Sequence, residues 1–329
     1  MTPPALLSLP DLPAALEALV RQIPRGRVAT YGDLATALGD VAAARWVAQR
    51  LKEPDAAVSL PTHRVVLRTG EVCLAQAALL AAEGVPFADS SHVELSCRWA
   101  EFAASFPLRQ LRDWQTEQIR HADWETERTL PEVIAGVDLS YASPDLAVAA
   151  YAAVDVATGK IIAEHTTTAA VTFPYIPGYL TFRELPPLLA LLDDVRRQGP
   201  LAPVILVDGS GRLHPRQAGL AVAVGVCGGC VTVGVSKHQL CGRVREDELV
   251  DGCPTIWHQD ERLGVKLTTG SKRRTVFLSP GTGIDLASSL RMVQAVWRTE
   301  RLPRPIARAD ALSRTVAKQL IVAEEPRTK

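Results

Sequence analysis

Three carboxylates stand where a carboxylate needs a reason. Asp138 interrupts the apolar run of IAGVDLSY, and Asp208 ends the apolar strand of VILVDGSG. A carboxylate in such a strand is costly unless it is paired or bound to a metal. Glu184 closes FPYIPGYLTFRE, where the chain enters a helix. Two strand carboxylates and a helix glutamate make an all-oxygen donor set for a hard cation, Mg²⁺ or Mn²⁺. Such sites hold phosphates and activate water for phosphodiester cleavage. Asp208 also precedes Gly209-Ser210-Gly211, where the backbone can come close to a ligand. Taken singly, each Asp also reads as a strand-end cap, and Glu184 as a charge that complements the helix macrodipole.

The FPYIPGYLTFRE stretch carries a second chemical feature. Pro174 and Pro177 fix φ and lack N–H donors, so this is no central strand. The result is a stiff turn that presents Tyr175. A rigid exposed ring suits stacking or wedging between bases; the plainer alternative is a half-buried loop aromatic. A Cys227-Gly-Gly-Cys230 pair leaves zinc binding open. It lies inside an apolar run, AVAVGVCGGCVTVGV, where cysteines pack as small hydrophobes.

The elements that must hold these groups follow from periodicity. Apolar spacing predicts helices over 12–22, in the segment ending at Gly39, over 42–51 and over 75–84, with a break at Pro54 and an extended SLPTHRVVLRTGEV segment between them. This is a small, mainly helical domain over residues 1–88, behind a loose leader. Residues 89–107 show no clear period and read as a linker. The second domain, 108–329, opens with a charged helix. Strands follow over 133–141, 146–156 and 160–168 as an antiparallel meander. Next come a helix over 185–197, a fully apolar strand over 203–207, a helix from His214 to Val224, a strand over 230–235, two strands near 265–278, and a helix over 285–298 ahead of a frayed tail. A β-β-β-α-β-α-β order with a mixed sheet matches the α/β ribonuclease H-like architecture.

The 329 residues suffice for two buried cores. Hydrophobic residues make up 47%, and mean hydropathy is +0.08, which argues against long disorder and against a membrane protein. The proline-rich start lacks the basic region of a signal peptide, and six cysteines without such a signal read as reduced thiols. A cytoplasmic protein is expected. Lys and Arg (36) balance Asp and Glu (36), so nucleic-acid binding would rest on local basic patches.

GVDLSY, FPYIPGYLTFRE, VDGSGRLHPRQAG and GVSK, in this order, resemble endonuclease V over roughly residues 108–313. The resemblance implies a metal-dependent nuclease that recognises deoxyinosine in damaged DNA. It nicks at the second phosphodiester bond on the 3′ side; some members act on RNA containing inosine. It makes Asp138, Glu184 and Asp208 the metal-binding carboxylates and Tyr175 the wedge that fills the gap left by a flipped base. Gly209 and Gly211 would line the base pocket. Lys237 would stabilise charge at the scissile phosphate, and His214 matches the family's HPR histidine, with helix capping as the alternative. Two positions depart: Ser210 replaces a histidine, and Thr282 stands where the family has the histidine of SPGH. A threonine is no base near neutral pH, so an active nuclease and a catalytically impaired damage-binding scaffold both remain open.

IPRGRVATYGDLA, AARWVAQRL and LPTHRVVLRTGEV resemble the DNA-binding domain of O6-alkylguanine-DNA alkyltransferases over about residues 12–84. In that family a cysteine thiolate accepts the alkyl group. Here the matching segment is Pro61-Thr62-His63-Arg64-Val65, and a threonine hydroxyl is far too weak an acid for that role. The resemblance therefore implies an alkyltransferase-like module that binds alkylated guanine without repairing it. Tyr31 would help to rotate the nucleotide, and Arg45 would take its place in the stack.

Overall fold

The computed structural model describes residues 8–269, 274–298 and 300–324. The frayed tail expected at Arg327–Lys329, and most of the leader, lie outside them. The chain divides into two units: residues 8–114 with 173–180, and residues 115–172 with those from Thr181 onward.

In the first unit, Asp11 accepts the N–H of Ala14 and starts α1 (Leu12–Val20), which buries Leu12, Leu16 and Leu19. β1 (Ala29–Thr30) pairs in parallel with β2 (Val65–Val66). Thr30 and Asp33 form a capping box for α2 (Tyr31–Leu38), and Arg98 pairs with Asp33. A short 3₁₀ turn at 41–43 runs into α3 (Ala44–Arg50). The break expected at Pro54 is instead the first residue of α4 (Pro54–Ser59), where a missing N–H costs nothing. α5 (Leu74–Ala82) and α6 (Pro107–Gln118) complete the helices of this part.

Residues 89–107, expected as a linker, are mostly exposed but are pinned at Val93 and Cys97. Val93 and Cys97 join a core with Val28, Val66 and Leu80. The N–H of Val28 donates to Cys97 O, and that of Trp99 to Val28 O. Backbone bonds rather than an amphipathic face hold this segment, which is why it shows no period. The FPYIPGYL segment also belongs to this unit. Phe173, Ile176 and Tyr179 are buried, whereas Tyr175 is 65% exposed.

The second unit is built on a nine-stranded mixed sheet, in the order β5-β4-β3-β6-β7-β11-β10-β9-β8. β3 (Val133–Ser143), β4 (Leu146–Asp155) and β5 (Ile161–Ala170) form the expected meander. β6 (Val204–Asp208) lies parallel to both β3 and β7 (Thr232–Ser236). β8 (Arg243–Val250), β9 (Cys253–His258), β10 (Glu261–Thr269) and β11 (Arg274–Thr282) extend the other side antiparallel. α7 (Leu180–Gln198) starts ahead of its expected position, with Pro186 and Pro187 inside it. α8 (Leu220–Gly228) packs on β7 and β11, α9 (Leu286–Val296) on β11, and α10 (Arg304–Glu324) on β3 and β4. The helix expected to begin at His214 begins at Leu220. Residues 211–219 form a tight loop instead, with Gln217 at φ 52° and the N–H of Gly219 returned to Gly211 O.

Candidate active site

The sheet register gathers the strand carboxylates. Val137 of β3 lies beside Val207 of β6, so Asp138, midway along β3, and Asp208, the last residue of β6, come to one level where the parallel pairing of the two strands ends. That is where open α/β sheets bind ligands. Asp208 in turn lies beside Val235 of β7, two residues before Lys237. The Lys237 ammonium donates to Oδ2 of Asp208 at 2.7 Å. Glu184 sits in the second turn of α7, just before Pro186 and Pro187 take two N–H donors out of the helix. The neighbouring Arg183 guanidinium lies over the Tyr141 ring, 4.6 Å from its centroid.

These groups act on one another electrically. Burial, and then the charge of Asp208, push the Asp138 carboxyl up to about 8. The same two causes push Glu184 up to about 7. The Tyr141 phenol is pushed up to about 12 by burial, then by the charge of Glu184. Burial pulls Lys237 down, but the hydrogen bond and charge of Asp208 outweigh it and leave the ammonium favoured. Mutually repelling, half-buried carboxylates of this kind are a donor set that suits a hard divalent cation. As placed, no three His, Cys, Asp or Glu side chains among the described residues are drawn together closely enough to enclose one.

A fourth carboxylate was missed by the sequence reading. Asp310 lies on α10, and its charge raises both Asp138 and Lys237. Gly136 explains how it gets there. A Cβ at Gly136 would lie 2.5 Å from the N of Ile306, so a glycine lets α10 lie directly on β3. Two strand positions beyond Asp138, Ser140 bonds Ser313 at 2.9 Å. Asp138 thus falls between two points of contact with the helix that carries Asp310.

The other expected residues have more ordinary surroundings. The N–H of Gly209 donates to Val235 O, and that of Gly211 to Ser279 Oγ at 3.1 Å, so neither amide is turned to a ligand. A Cβ on Gly211 would stand 2.2 Å from Pro280 O, which accounts for this glycine by packing. His214 is buried; burial, and then the charge of Arg216, hold it down at about 4, a neutral ring. Its Nδ1 accepts the N–H of Arg216 and so braces the 211–219 loop rather than a helix start. Thr282 Oγ1 accepts the N–H of Asp123 at 2.9 Å, a structural bond to the segment before β3. Burial pushes the thiols of Cys227 and Cys230 up to about 11.

In the first unit, Tyr31 opens α2 half-buried, and burial, then the charge of Cys73, raise its phenol. Arg45 is exposed on α3. Thr62 is half-buried in a 3₁₀ turn. The two residues after it share one carboxylate. His63 Nε2 lies 2.9 Å from Glu83 Oε1, and Arg64 donates to both Glu83 oxygens, at 2.7 and 2.9 Å. The hydrogen bonds from Arg64 hold Glu83 down at about 2, against the effect of its burial.

Comparison with known proteins finds a family for each part of the chain. The model of the family described as Endonuclease V matches residues 115–311, well over half the chain. The chain belongs to the endonuclease V family. A second family, the DNA-binding domain of 6-O-methylguanine DNA methyltransferase, matches residues 13–85. The chain therefore joins a C-terminal endonuclease V domain to an N-terminal methyltransferase-type DNA-binding domain. A bifunctional methyltransferase/endonuclease from Thermoplasma volcanium has the same combination in its name. It is 38% identical over 253 residues, 73% of this chain and 74% of that protein. The crystal structure of endonuclease V from Streptomyces avermitilis superposes with a TM-score of 0.58 at 32% identity, covering 66% of this chain and 95% of that one. The Ciona intestinalis endonuclease V, in complex with a 24mer DNA containing an inosine followed by a ribo-adenosine, shares the fold. Its TM-score is 0.58 at 24% identity, over 65% of this chain and 98% of that one.

Proposed function

We propose that this protein is a DNA-repair endonuclease. It recognises deoxyinosine and nicks the second phosphodiester bond on the 3′ side, and its N-terminal module binds alkylated guanine without taking the alkyl group. The observation that carries the nuclease reading is the charge cluster where the pairing of β3 with β6 ends. Asp138 and Glu184 are raised by burial and by Asp208, and Lys237 is bonded to Asp208. Asp138, Glu184 and Asp208 would hold Mg²⁺ or Mn²⁺, with Asp310 beside them. When bound, such a cation supplies Lewis acidity at a phosphate oxygen and lowers the pKa of a water.

The protein's own groups do the rest. Lys237 offsets negative charge as the phosphodiester is attacked. Tyr175, exposed on its proline-stiffened turn, fills the gap left by the flipped nucleotide, whose extrusion costs least where pairing is already poor. Arg45 plays the corresponding part on α3, with Tyr31 helping to turn the alkylated nucleotide. Thr62 next to His63 presents a hydroxyl where a thiolate would be needed, so the lesion is held rather than repaired. Tethering raises the local concentration of the nuclease at sites the N-terminal module marks. The alternative, a damage-binding scaffold without chemistry, draws on Thr62 in the first domain and on Thr282 in the second, whose hydroxyl oxygen accepts the N–H of Asp123.

The test uses end-labelled single-inosine DNA and RNA strands with Mg²⁺ or Mn²⁺, and Asp208→Ala as control. Nicking of the DNA one nucleotide beyond the inosine, lost in the variant, supports the reading. Retained binding with no nicking under either metal overturns it, and nicking confined to the RNA reassigns the substrate.

A further inference from the structure

Tyr179 ends the FPYIPGYL segment, and its ring is almost wholly buried. Its phenol donates to Oδ2 of Asp40 at 2.7 Å. The other oxygen of Asp40 accepts the N–H of Ala42 at 3.0 Å and caps the 3₁₀ turn that runs into α3. Arg112 completes the cluster. It donates to Oδ2 of Asp40 and to the carbonyl of Gly39, each at 3.2 Å. One carboxylate therefore ties together the turn that leads to Arg45 and the loop that carries Tyr175, four residues before Tyr179. All of these residues lie in one unit, although 173–180 falls within the endonuclease V match and 40–45 within the methyltransferase-type match.

We propose that Tyr179 and Asp40 form a latch through which the N-terminal module positions the Tyr175 loop, so that Tyr175 and Arg45 are presented to DNA from one anchor. Tyr179 is thus a positioning residue for nicking. The proposal rests on the function above, in which both side chains enter the base stack. A phenol bonded to a half-buried carboxylate makes a charge-assisted hydrogen bond, stronger than one between neutral groups and directional. Pro174 and Pro177 stiffen the loop internally but do not fix its direction relative to α3; the phenol does. A phenylalanine at 179 would fill the same space without that constraint.

The experiment compares the full-length wild type with Tyr179→Phe, which keeps the ring, and Asp40→Asn, whose amide oxygen still accepts the phenol. The substrate is a deoxyinosine duplex with 2-aminopurine beside the lesion, in Mg²⁺. Tyr179→Phe is expected to lower kcat/KM for nicking about tenfold and to shrink the 2-aminopurine rise that reports unstacking, while Asp40→Asn keeps most of both. Hydrogen exchange, measured without DNA, is expected to rise in Tyr179→Phe in 174–179 and 41–47 together. Wild-type nicking and unstacking in Tyr179→Phe overturn the latch, and so does exchange that rises in 174–179 alone. A wild-type protein that does not nick overturns the nuclease reading, and the paired exchange response then decides the latch independently.

Discussion

The ammonium of Lys237 and the carboxylate of Asp208 stand 2.7 Å apart where β6 and β7 end side by side. The pair does two things at once: it lowers the repulsion around Asp208 and keeps a cation at the mouth of the site. Removing it by Lys237→Ala takes away charge stabilisation that grows as the phosphodiester is attacked, so the loss falls on kcat. A drop of about 100-fold in single-turnover nicking is expected, with duplex binding nearly unchanged. Equal losses in binding and turnover would place Lys237 in ground-state recognition instead.

Without a cation, burial and the charge of Asp208 work against ionising Asp138 and Glu184, and Asp310 adds to this at Asp138. Mg²⁺ is therefore expected to raise the melting temperature of the wild type, and chelation to lower it. Asp138→Asn removes one source of repulsion. The metal-free variant should melt a few degrees above the wild type, gain little from Mg²⁺ and fail to nick. Thermal melts in chelator and in Mg²⁺ measure all three; a metal-free variant that melts below the wild type contradicts the argument.

The first unit makes a separate prediction. Arg45 is exposed on α3, in a segment capped by Asp40. Arg45→Ala should weaken binding to an alkylguanine duplex by about 1–3 kcal/mol, with the thermal midpoint unchanged. Mass spectrometry of the wild type after incubation with that duplex should show no alkyl adduct, because the side chain beside His63 is the hydroxyl of Thr62.

Glu83 gives the pH dependence. Its folded pKa is about 2, below an ordinary value of 4.5, because Arg64 and then His63 bond its carboxylate. A depressed carboxyl contributes stability that is present above about 4.5 and lost as pH falls toward about 2. Glu83→Gln leaves Arg64 with a neutral partner and should cost about 2 kcal/mol at pH 7. The difference between variant and wild type should shrink steadily below pH 4.5. Urea titrations at pH 7, 4 and 3 read it; a constant difference would mean that Glu83 acts by shape alone.

How much of this was legible beforehand depended on what signal each element carries. The meander, the apolar strand before Asp208 and the stiff Tyr175 turn rest on strong local signals, and they stand where the sequence puts them. β8 and β9 were missed because β8, RVREDELV, is an exposed edge strand whose charged residues erase the alternation that marks a half-buried one. α10 was missed for a different reason. Its buried positions among the described residues are Pro305, Ile306, Ala309, Ser313 and Ala317. The helical spacing is there, but Ala309, Ser313 and Ala317 are small and Pro305 reads as a breaker, so hydrophobic periodicity does not report them. The price of that omission was Asp310. The expected helix at His214 failed because the loop at 211–219 takes its bonds from Gly211 and Pro280, far along the chain or against the local propensity.

Small residues on α10 and a glycine on β3 make the last prediction. A methyl group at position 136 would meet Pro305 and Ile306 backbone atoms at 2.5 Å, and backbone does not yield as a flexible side chain does. Gly136→Ala must lift α10 from β3, breaking the packing of Ile306 and the Ser140–Ser313 bond and carrying Asp310 away from Asp138. A loss of about 1–3 kcal/mol in stability is expected, together with a loss of nicking. Asp310→Asn separates the two effects. It leaves the helix seated, so the melting temperature should hold or rise, while nicking falls because the charge that faces Asp138 and Lys237 is gone. If Asp310→Asn nicks at the wild-type rate, the fourth carboxylate is a bystander and α10 serves the sheet alone.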